Sequence, residues 1–493
     1  MAARAIRLSD LGLTARAGRD PALSGITADS RSVRAGMLFA ALPGTAVHGA
    51  SFIPMALEQG AAAVLTDAEG ARLAGAVLAD SDVALVVAED PRSALACAAA
   101  LWFGAQPEVM VAVTGTNGKT SVATFTRQIW SALGHEAINI GTTGIEGAWT
   151  APSGHTTPDP VTLQKLLAAA VQGGVTHAAM EASSHGIDQR RLDGVRLRAA
   201  GFTNLTQDHL DYHKTMEAYF QAKAQLFTRL LPEDGVAVVN LDGAKGSEMA
   251  ELALGRGLRV LTVGKGQGAD LQIAATRPDA TGQEVRYLWQ GRAFQTRLAL
   301  IGAFQAENVA VAAGLAIAAG DAPDAVLAVL PRLTGVRGRM QLAATRRNGA
   351  AVYVDYAHTP DAIETALKAL RPHVMGRIIL VFGAGGDRDR TKRPLMGAAA
   401  QAHADVLYVT DDNPRTEDPA SIRAAILAAC PEANEVGDRA EAILRAVDAL
   451  LPGDALLIAG KGHESGQVIG TDVYPFDDVE QASVAVAALD GVI

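Results

Sequence analysis

The sequence predicts an α/β protein in three parts, and three observations carry that prediction. Its 493 residues correspond to about three domains at roughly 150 residues each. Continuous apolar runs recur, each ending in Gly-rich or polar residues, which is the pattern of strands buried on both faces of a parallel sheet. Helical stretches alternate with those runs, as a helix-covered parallel sheet requires.

Taken in order, residues 1 to about 106 mix short strands and helices. Leu38–Gly44 reads as a strand ending in a turn, and Ala63–Thr66 and Val83–Val87 read as further strands. A break follows at Gly104-Ala105-Gln106-Pro107. Val109–Thr114 is an unbroken apolar run, then a Gly-rich turn, then a helix expected from about Lys119 to Leu133. Strand and helix signals keep alternating to about Gly320. The stretch Thr334–Arg339 reads as a hinge. A second alternating series begins near Ala351, with strands expected at Ala351–Tyr356, Ile378–Phe382, Val406–Thr410 and Ala455–Ala459. Open α/β sheets bind ligands at the carboxyl ends of their strands, so the residues after these runs are the candidates for function. The expected domains are 1–106, 107–334 and 335–493.

Composition narrows the function classes. Hydrophobic residues make up 49% and charged residues 19%, too apolar for a disordered chain. Two cysteines, Cys97 and Cys430, make neither a disulfide framework nor a zinc-finger array and suit a reducing compartment. The net charge of −10 argues against a nucleic-acid binder. The Ala-rich run Ala94–Leu101 is far shorter than the ~20 residues of a membrane helix. The first ten residues lack the apolar segment of a signal peptide. A soluble, cytoplasmic protein is expected.

The strongest local signal is Thr114-Gly115-Thr116-Asn117-Gly118-Lys119-Thr120-Ser121, between strand and helix. Backbone N–H groups of such a loop converge on a phosphate and the helix N-terminus adds favourable potential. Lys119 can reach the β- and γ-phosphates, and the Thr120 hydroxyl can ligate Mg2+. Val113 and the first glycine at Gly115 depart from the usual spacing, which argues against the most familiar motor and GTPase families.

Two polar clusters follow strands. In Met180–Gly186, Glu181 falls at a strand's carboxyl end, where a carboxylate suits the hard cation Mg2+ or is a solvated loop acid. In Thr203–His213, His209 could ligate a metal through a neutral imidazole nitrogen or serve as a loop residue, and Asp208 and Asp211 could cap the next helix. That helix carries Lys223 among apolar neighbours, which by itself reads as a lysine snorkelling from an amphipathic helix.

Together these motifs resemble the Mur ligase family, ATP-dependent amide-forming enzymes of peptidoglycan synthesis. The resemblance spans nearly the whole chain through Asp29-Ser30-Arg31, Thr114–Ser121, Thr156-Thr157-Pro158-Asp159, Glu181–Gly186, Asn204–His213, Tyr356-Ala357-His358-Thr359-Pro360, Gly385-Gly386-Asp387-Arg388-Asp389, Asp412-Asn413-Pro414-Arg415 and Gly460-Lys461-Gly462-His463-Glu464. Nine clusters in family order are specific where any one is weak. The resemblance is strongest to members that add the third residue to UDP-N-acetylmuramoyl-L-alanyl-D-glutamate.

The resemblance implies an N-terminal UDP-substrate domain, a central P-loop ATPase domain and a Rossmann-like C-terminal domain. It implies that Ser30, Thr45, Ala46 and Val47 contact the uridine-diphosphate part, and that Thr156, Thr157, Ser183, Gln189 and Arg191 hold the muramoyl dipeptide. The loop residues Gly115–Ser121 (Gly115, Thr116, Asn117, Gly118, Lys119, Thr120, Ser121) with Asn308, Arg339 and Asp355 would bind ATP, and His358 lies beside that site. Lys223 would be carbamylated and, with Glu181, His209 and Thr120, would serve two Mg2+ ions. Lys119, Glu181, His209 and Lys223 are the implied catalytic set. Asp412-Asn413-Pro414-Arg415 marks members that use meso-2,6-diaminopimelate. That amino acid differs from lysine by one carboxylate, which a guanidinium pairs bidentately. Arg388 would add a second such contact, and Gly460 and Glu464 would receive the ammonium end. The expected partners are these three substrates, without nucleic acid or membrane, on a monomer. Competing readings are a lysine-adding relative, the related folylpolyglutamate synthase, and a nucleotide-driven switch without ligase activity.

Overall fold

The structure is a computed structural model and describes residues 5–44 and 47–492. Contacts divide the chain into two compact bodies. The first comprises the residues up to Asp270 together with Val311–Val326, and the second Leu271–Ala310 with Leu327 onward.

The first body holds two sheets. Four short parallel strands, β1 (Gly25–Thr27), β2 (Met37–Ala40), β3 (Ala63–Thr66) and β4 (Ala84–Val87), lie side by side in chain order. The helix Pro91–Phe103 follows. Pro91 suits a first helical turn, where its missing N–H costs nothing, and the Asp90 side chain caps it by accepting the Ser93 N–H. The second sheet contains β5 (Val109–Thr114), β6 (Ala137–Gly141), β7 (Gly144–Gly147), β8 (His177–Glu181), β9 (Ala199–Phe202), β10 (Val236–Asn240) and β11 (Arg259–Gly264), in the order β7-β6-β8-β5-β9-β10-β11. All neighbours are parallel except the β6–β7 hairpin. Met110, Ala112, Ala178, Met180, Ala200 and Phe202 of its three central strands are buried in one apolar core.

The second body opens with an antiparallel meander, β12 (Leu271–Asp279), β13 (Gly282–Trp289) and β14 (Arg292–Leu298). This departs from the continuous α/β alternation expected up to Gly320. Exposed positions interrupt each of its strands, so they carry no unbroken apolar run. The strands β15 (Gln341–Thr345), β16 (Ala351–Asp355), β17 (Ile378–Phe382), β18 (Val406–Val409), β19 (Asn434–Glu435) and β20 (Ala455–Ala459) form a sheet in the order β15-β16-β20-β17-β18-β19. Only β15 is antiparallel. A hairpin of β21 (Gly466–Ile469) and β22 (Asp472–Pro475) stands beside the loop after β18. His373 joins the meander to the rest of this body: its Nε2 accepts the Gly302 N–H at 3.1 Å and its Nδ1 faces the Asp279 carbonyl at 2.6 Å. Chain order reverses at β17, whose successor β18 lies on one side and β20 on the other, a topology that opens a crevice at the strands' carboxyl ends. Among the described residues, no helix is long and apolar enough to cross a membrane.

Candidate functional site

In the first body the phosphate loop leaves β5, the central strand, and enters the helix Lys119–Ala132. The loop needs its glycines. A Cβ on Gly115, at φ +151°, would lie 1.9 Å from Thr203 Oγ1, and Gly118 takes the left-handed φ of +85° that glycine tolerates. The helix start has no side-chain cap hydrogen bond, and the N-terminus of a helix is a favourable place for an anion. The segment after β9 holds the loop in shape. The Asn204 carbonyl accepts the Thr116 N–H at 2.9 Å, Asn204 Oδ1 accepts the Asn117 N–H at 3.0 Å, and the Thr203 hydroxyl donates to the Asn117 carbonyl at 2.6 Å. Thr120 and Ser121 are buried in the first helical turn.

Lys119 Nζ folds onto the Gly115 and Thr116 carbonyls at 2.9 and 2.8 Å. Lys223 Nζ donates to the same Gly115 carbonyl at 2.7 Å and sits 4.3 Å above the centre of the Tyr219 ring. Lys223 is only 1% exposed, so it does not snorkel. Burial first, and then the charge of Lys119, hold its amine well below the ordinary lysine range.

Glu181 ends β8, fully enclosed. Its Oε1 accepts the Thr142 N–H at 2.8 Å, and the Thr142 hydroxyl reaches both Glu181 Oε2 at 3.3 Å and the Thr156 hydroxyl at 3.0 Å. A Cβ on Gly141 would stand 2.0 Å from Glu181 Oε1, so the carboxylate occupies space that only glycine leaves. Thr157 donates to the Glu181 carbonyl at 2.9 Å and meets the Ser183 hydroxyl at 3.0 Å. Arg191 donates to the Thr157 carbonyl at 2.6 Å and to Gln189 Oε1 at 2.8 Å. Thr156, Thr157, Ser183, Gln189 and Arg191 are thus gathered around the end of β8. Ser30 lies buried on the turn Ser30–Ser32, and Val47 is exposed. Thr45 and Ala46 lie outside the described residues.

His209 has the left-handed φ of +52° and itself occupies the cap position of the short helix Leu210–His213, with no side-chain cap bond. The expected capping by Asp208 is therefore not what the backbone uses: Asp208 Oδ1 accepts the adjacent His209 N–H at 2.8 Å. The Asp211 side chain lies outside the described residues. Thr215 caps the following helix Met216–Gln225. The His209 ring stands edge-on to His185, 4.8 Å between centres, and its Nε2 is 3.4 Å from Asp208 Oδ2. Among the described residues no three His, Cys, Asp or Glu side chains gather as a metal set.

In the second body, the loops after β16, β17, β18 and β20 carry the remaining candidates. Asp355 ends β16, and its carboxylate accepts the Met340 and Ala357 N–H groups at 2.6 and 2.9 Å. Desolvation raises its pKa against the pull of Arg339. The Arg339 guanidinium lies 4.8 Å over the Tyr356 ring. Asn308 donates to Gln305 within the helix Phe304–Ala319. The Gly386 N–H donates to the Asn413 carbonyl at 2.9 Å, and Arg415 Nη1 donates to the Gly386 carbonyl at 2.8 Å. A Cβ on Gly386 would lie 1.9 Å from the Pro414 carbonyl, and one on Gly460 would lie 2.5 Å from Asp412 Oδ2. Asn413 Nδ2 donates to Glu464 Oε2 at 2.9 Å. Asp412, Asn413, Pro414, Arg415, Gly460 and Glu464 are therefore one connected group, and Arg388 projects, exposed, from the Gly385–Gly386 loop beside it.

Two participants escaped the sequence reading. Thr142 bridges Glu181 and Thr156 from a Gly-Thr-Thr-Gly turn that signals only a hairpin. Lys461 is fully buried against Asn413 and Glu464; its motif was visible, its burial was not.

Three family descriptions match successive stretches of the chain: "Mur ligase family, catalytic domain" over residues 22–102, "Mur ligase middle domain" over 113–316, and "Mur ligase, glutamate ligase domain" over 338–462. The chain is 51% identical over 491 residues to the UDP-N-acetylmuramoyl-L-alanyl-D-glutamate--2,6-diaminopimelate ligase of Caulobacter vibrioides, covering 98% of this chain and 99% of that one. It is 50% identical over 472 residues to the protein of the same name from a Chelativorans species, covering 96% of each. A solved structure of a ligase of that name matches with a TM-score of 0.71 at 36% identity over 95% of both chains. MurF from Acinetobacter baumannii shares the fold, with a TM-score of 0.63 at 18% identity over 92% of this chain and 94% of that one.

Proposed function

The chain belongs to the Mur ligase family, and from that premise we infer that it joins meso-2,6-diaminopimelate to the D-glutamate γ-carboxylate of UDP-N-acetylmuramoyl-L-alanyl-D-glutamate at the expense of ATP. The observation that carries this reading is the connected group of Arg415, Asn413 and Glu464. It offers a guanidinium for a carboxylate and a carboxylate for an ammonium, the two groups that mark the distal end of diaminopimelate. Lysine offers only the second.

The chemistry follows from the difficulty of the bond. A carboxylate and an amine do not condense unaided in water, so the γ-carboxylate first attacks the γ-phosphorus of ATP. The bond to the β-phosphate oxygen breaks, ADP leaves, and an acyl phosphate forms. The amine then adds to the acyl carbon, and phosphate departs with its electron pair as the amide forms and the amine loses a proton. The phosphate loop N–H groups and Lys119 balance charge on the phosphoryl group in flight. Thr156, Thr157, Ser183, Gln189 and Arg191 orient the dipeptide end of the UDP-substrate, whose nucleotide end we assign to Ser30, Thr45, Ala46 and Val47. Asn308, Arg339 and Asp355 are assigned to the nucleotide of ATP, and Arg388 to the amino acid's carboxylate.

The Thr120 hydroxyl and the Glu181 carboxylate are oxygen donors of the kind Mg2+ takes, and we assign them to it with His209 as a nitrogen donor; bound there, two ions would neutralise phosphate charge. Lys223 fits a carbamate: a neutral amine adds to CO2, forms the N–C bond and releases one proton, leaving an anion beside Lys119. The domain limits 1–106, 107–334 and 335–493 and action as a cytoplasmic monomer are part of the same reading. The test is a panel of amino acids offered with ATP and the UDP-dipeptide, read by mass spectrometry of the ligated product. Diaminopimelate should give the tripeptide. Preferential ligation of lysine, or no ligation at all, overturns the assignment.

A further inference from the structure

Lys461 carries a charge that the reaction above does not use. Its side chain is fully buried. Its Nζ donates to Asn413 Oδ1 at 3.1 Å and to Glu464 Oε2 at 3.3 Å. Asn413 Oδ1 also accepts the Val468 N–H at 2.9 Å, while Asn413 Nδ2 donates to Glu464 Oε2 at 2.9 Å. Two donors on the oxygen and an acceptor on the nitrogen leave the Asn413 amide one orientation. Glu464 Oε2 takes hydrogen bonds from both Lys461 and Asn413, which turns the carboxylate so that Oε1 remains for a further donor.

We propose that Lys461 is the positioning residue of the amino-acid site: it aims Glu464 and Asn413 at the distal ammonium of the incoming amino acid and so sets the preference for a substrate that has one. The proposal rests on the reading that Glu464 receives that ammonium. A buried cation bonded to two polar side chains fixes their geometry, because releasing either leaves a desolvated charge short of partners. Glu464 is about one-third exposed on the side chain while Lys461 is not exposed at all. The cation is therefore enclosed while the carboxylate it holds is still partly open to a ligand. The substrate's ammonium and Lys461 then share one carboxylate, an arrangement that two cations tolerate only around an anion held in place.

The discriminating probe is 2-aminopimelate, which keeps the carbon chain and both carboxylates of diaminopimelate but lacks the second amine. The measurement is kcat/KM for diaminopimelate and 2-aminopimelate in the wild type, Lys461→Met, Lys461→Arg, Glu464→Gln and the double variant Lys461→Met/Glu464→Gln, each checked for folding by its thermal transition. Wild type should prefer diaminopimelate by about ten- to a hundredfold, the scale of one charged hydrogen bond. Lys461→Met should collapse that ratio by raising the KM for diaminopimelate, with the KM for ATP and the UDP-substrate little changed. Lys461→Arg should restore part of it, and the double variant should behave like Glu464→Gln alone. The double variant also removes both charges of the Lys461–Glu464 pair, so it remains informative if Lys461→Met does not fold. If Glu464→Gln collapses the ratio and Lys461→Met leaves it at the wild-type value, or lowers both substrates equally, Lys461 is structural and the proposal is overturned while the site stands. If Glu464→Gln leaves the ratio unchanged, the ammonium is read elsewhere and both fall.

Discussion

Lys119 and Lys223 bring two amines to one carbonyl oxygen, that of Gly115. Two ammonium ions there would repel each other where water cannot screen them, and a buried charge without a counter-ion costs several kcal/mol. Burial and the neighbouring cation depress the Lys223 pKa accordingly. The neutral amine is the form that adds to CO2. Falling pH protonates it through that depressed pKa and closes the reaction; rising pH reopens it. In CO2-depleted buffer, activity should decline, more steeply at lower pH, and added bicarbonate should restore it. Lys223→Ala should lose most activity, with partial rescue by short carboxylates. A 13C resonance from labelled bicarbonate should mark the carbamate in the wild type, and full activity in its absence would remove it from the mechanism. Arg415 supports a second prediction at this scale. Its guanidinium rests on the Gly386 carbonyl, and its backbone is held at φ +52° by bonds to Val468 and Gly470. A desolvated guanidinium that loses its carboxylate costs about 2–5 kcal/mol, or at least about 30-fold. Wild type should prefer diaminopimelate over L-lysine by that margin, and Arg415→Ala should erase the preference while nearly sparing the KM for ATP. An unchanged kcat/KM ratio in Arg415→Ala would place the carboxylate reader elsewhere.

Among the elements, the phosphate loop is shaped by its neighbour as much as by its own sequence. Gly115 faces Thr203 so closely that a methyl group would overlap the hydroxyl at 1.9 Å, and Asn204 holds two loop amides in place. Gly115→Ala should therefore displace the loop, raise the KM for ATP and lower kcat/KM by at least about tenfold, while the KM for diaminopimelate changes little. Steady-state kinetics with each substrate varied in turn checks this. Val109–Thr114, Ile378–Phe382 and Ala455–Ala459 stand where their apolar runs place them, because strands buried on both faces leave an unbroken signature. The meander Leu271–Leu298 leaves none, since exposed residues interrupt every strand. The chemistry-bearing motifs were legible because glycine, lysine and acidic residues cluster after strands. Thr142 and the burial of Lys461 were not, because Glu181 and Asn413 are distant from them in the sequence and meet them only once the sheet order is set.

For the whole molecule, the candidate groups fall in different bodies. The first holds the phosphate loop and the Glu181 region, the second the Arg415–Glu464 group. A ligase must not spend ATP unless an acceptor carboxylate is present, because the γ-phosphoryl group otherwise passes to water. Thr203 and Asn204 hold the phosphate loop in shape from within the same body. On the ligase reading, phosphoryl transfer waits for its nucleophile, the γ-carboxylate. Phosphate release should accordingly stay near background with ATP alone, or with ATP and diaminopimelate. It should rise only slightly with ATP and the UDP-dipeptide, as the acyl phosphate slowly hydrolyses, and fully only when all three are present. Hydroxylamine in place of diaminopimelate should capture the acyl phosphate as a hydroxamate. A nucleotide-driven switch would release phosphate from ATP without either co-substrate and yield no hydroxamate. Such a result would separate ATP hydrolysis from amide formation and end the ligase assignment even with the phosphate loop intact.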